Sequence, residues 1–176
     1  GDAAVRGRAP LSFVQEQMWL VDQLEPGNTA YNIGCTIELA GAMDIEALQA
    51  ALTEIVRRHA VLRTAFITDH GVPVQVVGPV VPVVLAVTEL SSLAQPLRAE
   101  RLREIERGDA ELAFDLTSGM PIRFRLIQLD HELHRLTVAA HHIVIDGWSL
   151  QIFVRELGVL YSAFARGEKS PLADPV

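Results

Sequence analysis

Two adjacent histidines, His141 and His142, with an aspartate following at Asp146, are the residues best suited to proton chemistry in this chain. They lie in residues 136–150, Leu-Thr-Val-Ala-Ala-His-His-Ile-Val-Ile-Asp-Gly-Trp-Ser-Leu. Imidazole ionises near neutrality, at about 6.5, so a histidine can take and return a proton at physiological pH. From spacing alone three uses compete. Both rings can be satisfied members of the core or its rim. A metal site would need three or four ligands. His142 and Asp146 have helical spacing, but Ile143-Val144-Ile145 favours strand or loop, and no further His or Cys cluster is near in sequence. In the third use His142 is a proton acceptor and Asp146 orients the backbone or a cation. There is no Gly-x-Ser-x-Gly elbow and no glycine-rich phosphate loop, so covalent serine chemistry and nucleotide binding find no support.

The elements that must position these groups are legible around them. Leu136, Val138 and Ala140 alternate with Thr137 and Ala139, the period of a strand. If that strand persists through the histidines, His142 shares a face with Leu136, Val138 and Ala140, and His141 with Thr137 and Ala139. Asp146-Gly147 then breaks the strand, and a helix follows to Arg166-Gly167. Its stripe of Trp148, Phe153, Leu157, Leu160, Tyr161 and Phe164 reads as core.

Upstream, Ser12 caps a helix with Gln15 at the capping-box position, and Val14, Met18, Val21 and Leu24 repeat at helical spacing up to Pro26-Gly27. A strand over 35–39 precedes a second helix, which Asp44 caps and which carries Ile45, Leu48, Leu52, Ile55 and His59 on one face. Residues 61–67 and 72–77 flank Thr68-Asp69-His70-Gly71, a hairpin signal. Residues 83–87 read as a short strand, and 96–108 as a charged helix with Leu97, Leu102 and Ile105 inward. Ile122, Phe124, Leu126 and Leu129 mark a half-buried strand that pairs with the histidine strand through a turn at 130–133. His59, His70, His131 and His134 take structural readings. The class is α/β or α+β, a mixed sheet covered by helices. Residues 1–9 read as an N-terminal tail, 10–169 as one domain, and 170–176 as linker or tail.

Composition narrows the function. At 176 residues with 49% hydrophobic side chains, one domain with a real core is expected. A net charge of -7 argues against a nucleic-acid surface. No apolar run reaches membrane-spanning length, and the N-terminus does not read as a signal peptide. The single cysteine, Cys35, excludes an internal disulfide, fits a reducing cytoplasm, and reads as packing rather than as a nucleophile.

Three stretches together resemble a known family. His141-His142-Ile143-Val144-Ile145-Asp146-Gly147, extended by Trp148-Ser149, is similar to the His-His-x-x-x-Asp-Gly motif of the condensation domains of nonribosomal peptide synthetases. That motif is shared across the chloramphenicol acetyltransferase-like acyltransferases. Residues 12–19 (Ser-Phe-Val-Gln-Glu-Gln-Met-Trp), running on through 22–28 and 31–33, look like the opening motif of condensation domains. Residues 58–66 (Arg-His-Ala-Val-Leu-Arg-Thr-Ala-Phe) resemble their second. Val14, Gln17 and Ala60 depart from the residues common in the family at those positions. The intact histidine pair separates the chain from cyclising relatives and from degenerate recruitment domains. The opening motif leans towards the branch that accepts an L-configured donor.

The resemblance implies an acyltransferase that forms an amide bond. Carrier proteins deliver both substrates on phosphopantetheine arms, and no cofactor is bound directly. It implies His142 as the catalytic residue, acting on the amine proton by basicity or by hydrogen bonding, with His141 as support. Asp146 is expected to fix the loop through a salt bridge, with Arg63 as candidate partner within this lobe and an arginine of the C-terminal lobe as the equal alternative, and Gly147 to permit close backbone approach. It also implies a C-terminal lobe beyond this one, an inner face apolar enough to self-associate, and no activity for the lobe alone. Two alternatives stay open: a docking platform for carriers without chemistry, or part of a stand-alone acyltransferase using a soluble thioester.

Overall fold

A computed structural model describes residues 7–174. Residues 1–6 of the expected tail and 175–176 of the expected linker lie outside the described residues. The chain runs β1 (Arg8–Pro10), α1 (Phe13–Leu24), β2 (Asn32–Ala40), α2 (Ile45–Arg58), a 3-10 turn (Ala60–Arg63), β3 (Thr64–Asp69) and β4 (Val72–Val77). It continues through β5 (Ala86–Glu89), α3 (Leu97–Glu111), β6 (Ile122–Gln128), β7 (Leu133–His141) and α4 (Gly147–Phe164). Helices and strands mix as expected, but the strands form two sheets rather than one. The smaller has the order β1-β4-β3 and the larger β2-β7-β6-β5. In the larger sheet β5 lies parallel to β6 and the other pairs are antiparallel, so it is mixed.

β7 is the central element. Its neighbours bring Phe124 opposite Val138 and Leu126 opposite Leu136. These side chains face α2 and α4, where Phe124 and Phe153 stack with centroids 6.0 Å apart. Leu48, Leu52, Ile55, Phe153, Leu157 and Leu160 complete a dry core. The opposite face alternates, as a strand's must. There Ile127 packs on Leu90 and Leu102 beneath α3, while Arg125 pairs with Asp109 at 2.8 Å and Thr137 donates to the same carboxylate at 2.9 Å.

Several boundaries differ from the sequence reading. Residues 8–10, read as the end of a tail and the approach to a helix, form an edge strand on β4, and Arg8 pairs with Asp69 at 2.6 Å. Three residues containing a proline carry no local strand signal; the pairing comes from a partner far along the chain. The strand expected over 83–87 begins at Ala86 instead, because Val83 and Leu85 are buried against α2, where Thr53 Oγ1 and Gln49 Oε1 accept their N–H groups. Leu97, expected inward, is exposed at the first turn of α3. The hairpin forms as expected: His70 and Gly71 both take positive φ, 49° and 83°, between the paired Asp69 and Val72. Residues 170–174 are strapped down: Leu172 packs on the core, its carbonyl accepts from Arg58, and Asp174 pairs with Arg57 at 2.5 Å.

Candidate active site

β7 ends at His141, which pairs with Asn32 of β2, and residues 142–144 turn away from the sheet. The strand therefore does not continue through both histidines, and strict alternation does not reach His142. The two rings separate all the same. His141 is 2% exposed. Its Nδ1 accepts the N–H of Ile143 at 3.1 Å, and its ring lies 6.0 Å from that of Tyr31. Burial, with a smaller contribution from the neighbouring His142, pushes its pKa down from 6.5 to about 4, so it is neutral at pH 7. A neutral ring whose Nδ1 accepts a hydrogen bond carries its proton on Nε2.

His142 sits on the open side of the turn. Its backbone N–H donates to Tyr31 O at 2.8 Å. Its side chain lines a cleft of about 430 Å³ with Ser12, Val14, Gln15 and Met18 on one wall and residues 143–146 and Ser149 on the other. Its Nδ1 is buried and has no hydrogen-bond partner among the described residues, so exchange with the cleft goes through Nε2. Ile143, Val144 and Ile145 are all buried in the core although none is in a strand. Their apolar bulk anchors the turn and leaves the histidine before them facing out.

α1 and α4 frame the cleft. Ser12 and Gln15 form the expected capping box, with Ser12 Oγ accepting the Gln15 N–H at 3.3 Å and Gln15 Oε1 accepting the Ser12 N–H at 2.9 Å. The same glutamine carboxamide extends to the turn, donating from Nε2 to Ile143 O at 3.4 Å. The spacing of Gln15 identified its capping role, but nothing local signals a contact with a residue so distant in sequence. At the other helix Asp146 is the N-cap, its Oδ1 accepting the Ser149 N–H at 2.7 Å. Those hydrogen bonds from Ser149, with the nearby His142, hold the Asp146 carboxyl below its ordinary range.

The Asp146–Arg63 salt bridge does not form. Arg63 donates instead to the carbonyl of Gly78, and Asp146 is spent on its own helix cap. The short reach of an N-cap aspartate explains why: its oxygen has a backbone donor three residues on. Gly147 also behaves differently from expectation. A Cβ there would meet nothing within 4 Å and its φ is not positive, so no close approach within this lobe requires glycine. Trp148, expected in the core, is 73% exposed at the first turn of α4, because the apolar stripe of that helix turns inward only from Phe153 onward. His59 is more than a helix-face residue: its Nε2 lies 2.8 Å from Glu156, a buried carboxylate also approached by Arg58. Burial alone would raise Glu156, but His59 and Arg58 outweigh it and hold the carboxyl down. Among the described residues no three His, Cys, Asp or Glu side chains converge on a common point.

This arrangement, one ring open to a cleft beside a sealed one, accompanies a family match. The family model for the condensation domain matches residues 5–175. Chondramide synthase cmdD of Chondromyces crocatus is 42% identical over 167 residues, covering 94% of this chain and 4% of that protein. Among solved structures, the starter condensation domain of rhizomide synthetase RzmA superposes with a TM-score of 0.86 at 25% identity, covering 95% of this chain and 40% of that one. The X-domain solved in complex with OxyB from teicoplanin biosynthesis gives a TM-score of 0.84 at 30% identity, covering 95% of this chain and 35% of that one. With its mixed sheet, helical cover and histidine motif at the end of the central strand, the chain belongs to the condensation-domain family of nonribosomal peptide synthetases.

Proposed function

We propose that this chain is the N-terminal lobe of a peptide-bond-forming condensation domain. In this reading it helps transfer an acyl or peptidyl group from one carrier-bound thioester to the amine of a second carrier-bound substrate. The observation that carries the reading is the placement of His142 on an open cleft, with its neighbour His141 sealed and neutral. The amine nitrogen attacks the thioester carbonyl, a C–N bond forms, and the C–S bond breaks. His142 Nε2 accepts the N–H proton as it leaves the amine and passes it to the departing thiolate. A general base of this kind contributes about 10²- to 10⁴-fold.

The other wall of the site is assigned to a C-terminal lobe, and the substrates to phosphopantetheine arms of peptidyl and aminoacyl carrier proteins. Exposed Phe13, Val14, Leu20, Leu24 and Trp148 suit contact with such partners. The isolated lobe is expected to be inactive and prone to self-association. No helix among the described residues is long and apolar enough to cross a membrane, and a cytoplasmic setting is the expected one. The test is direct: incubate a two-lobed domain containing this sequence with an acyl-loaded donor carrier and an aminoacyl-loaded acceptor carrier. Appearance of the amide on the acceptor carrier is expected; absence of product with both carriers fully loaded would contradict the reading.

A non-catalytic docking role is the second reading, favoured by one finding, the 30% identity to an X-domain solved in complex with OxyB. In that case carriers would bind and no amide would form.

A further inference from the structure

We infer that Gln15 is a positioning residue for His142, tying the N-terminus of α1 to the turn that carries the imidazole. The inference rests on the reading of His142 as the reacting side chain, but the tie is a property of the fold and can be measured without substrate. Among the described residues the His142 ring has no hydrogen bond at its buried Nδ1, so the direction of the ring depends on how its backbone is held. On one side the His142 N–H is fixed by Tyr31 O at 2.8 Å. On the other, both polar groups of Ile143 are occupied. Its N–H goes to His141 Nδ1 at 3.1 Å, and its carbonyl accepts from Gln15 Nε2 at 3.4 Å. His141 and Gln15 thus grip the residue after His142 from opposite sides, one from the sheet and one from α1.

The carboxamide suits both of its tasks. Its Oε1 is committed to the Ser12 N–H at 2.9 Å, which leaves only the NH₂ group to face the turn, where it meets a carbonyl. Helix capping alone does not need that donor, because glutamate serves equally at this position of a capping box. A glutamine is required only if the turn is to be held as well.

The distinction gives the test. Gln15→Glu keeps the acceptor for Ser12, and its charge is favourable in the first turn of a helix, but it sets a carboxylate oxygen against the carbonyl of Ile143. In the full chain studied by amide hydrogen exchange, Ile143 and Val144, whose N–H groups both bond to His141, are expected to exchange about tenfold faster in this variant. Glu16, bonded to Ser12 O within α1, is expected to keep its wild-type rate. The His142 Cε1–H resonance should shift or broaden at the same time. Gln15→Ala, which removes the donor without adding charge, should speed the same two turn amides. Wild-type exchange at Ile143 and Val144 in both variants would reduce Gln15 to a helix cap and overturn the inference. Failure of the acyl-transfer reading would appear as missing amide product and would leave these exchange rates unchanged.

Discussion

α1 and α2 read alike in sequence and are used in opposite ways. Both are capped by a side-chain oxygen, and both repeat apolar residues at helical spacing: Val14, Met18, Val21 and Leu24 in one, Ile45, Leu48, Leu52 and Ile55 in the other. α2 buries Ala47, Leu48, Ala51, Leu52, Ile55 and Val56. α1 buries no residue, and leaves Phe13, Val14, Leu20 and Leu24 exposed. The difference follows from what each helix meets. α2 lies beside α4, and both pack on the larger sheet in one apolar core. α1 forms one wall of the cleft that His142 faces, and among the described residues nothing covers its Phe13, Val14, Leu20 and Leu24. A periodic apolar stripe therefore shows that a helix forms, but not that its own chain covers the stripe.

The sharpest way to break this contrast is to truncate one aromatic residue on each side of it. Phe66→Ala, in the core and 0% exposed, is expected to cost about 3–5 kcal/mol of unfolding free energy. Phe13→Ala, on α1 and 73% exposed, should stay within about 0.5 kcal/mol of wild type. Urea denaturation of both variants checks this, and a large loss from Phe13→Ala would mean that α1 belongs to the core after all.

The histidine pair sharpens the comparison within a single dipeptide. His141 is neutral in the fold, with its pKa lowered to about 4, whereas the unfolded chain takes up its proton near 6.5. The stability this provides is fully present above about pH 6.5 and is lost as the pH falls towards about 4, by up to about 3 kcal/mol. Unfolding measured across that window should show the loss. A His141→Gln variant, which cannot titrate, should lack this component of the slope even if less stable overall.

The smallest expected effect concerns Gly147. Since a Cβ there would meet nothing and φ is not positive, Gly147→Ala should leave the lobe unchanged or stabilise it by about 0.4–1 kcal/mol. If the same change in a two-lobed domain slows transfer, then the close approach at Gly147 is made by substrate or by the opposite lobe. Clear destabilisation of the single lobe would show that glycine is needed by its own fold.

Much of this fold was legible because it is encoded locally. The capping box of Ser12 and Gln15, the Asp44 cap, the His70-Gly71 turn and the alternation of β6 and β7 all depend on residues a few positions apart. What was hidden depends on partners brought together only by folding. The edge strand at 8–10, the division into two sheets, the His59–Glu156 pair and the second hydrogen bond of Gln15 have no short-range signature. The site was legible as a motif, not as a geometry. Opposite charge pairs Asp146 with Arg63, but each finds a nearer backbone partner, and helical periodicity places Trp148 in the core although the first turn of that helix protrudes into solvent.

The claim that matters most is that His142 serves the reaction and not the fold. It is tested by single-turnover amide formation between two loaded carriers, comparing a two-lobed domain containing this sequence with its His142→Ala variant, alongside thermal unfolding of both. The account predicts transfer slowed by about 10²- to 10⁴-fold with little change in the unfolding midpoint. Transfer at close to the wild-type rate by a folded His142→Ala domain would contradict it.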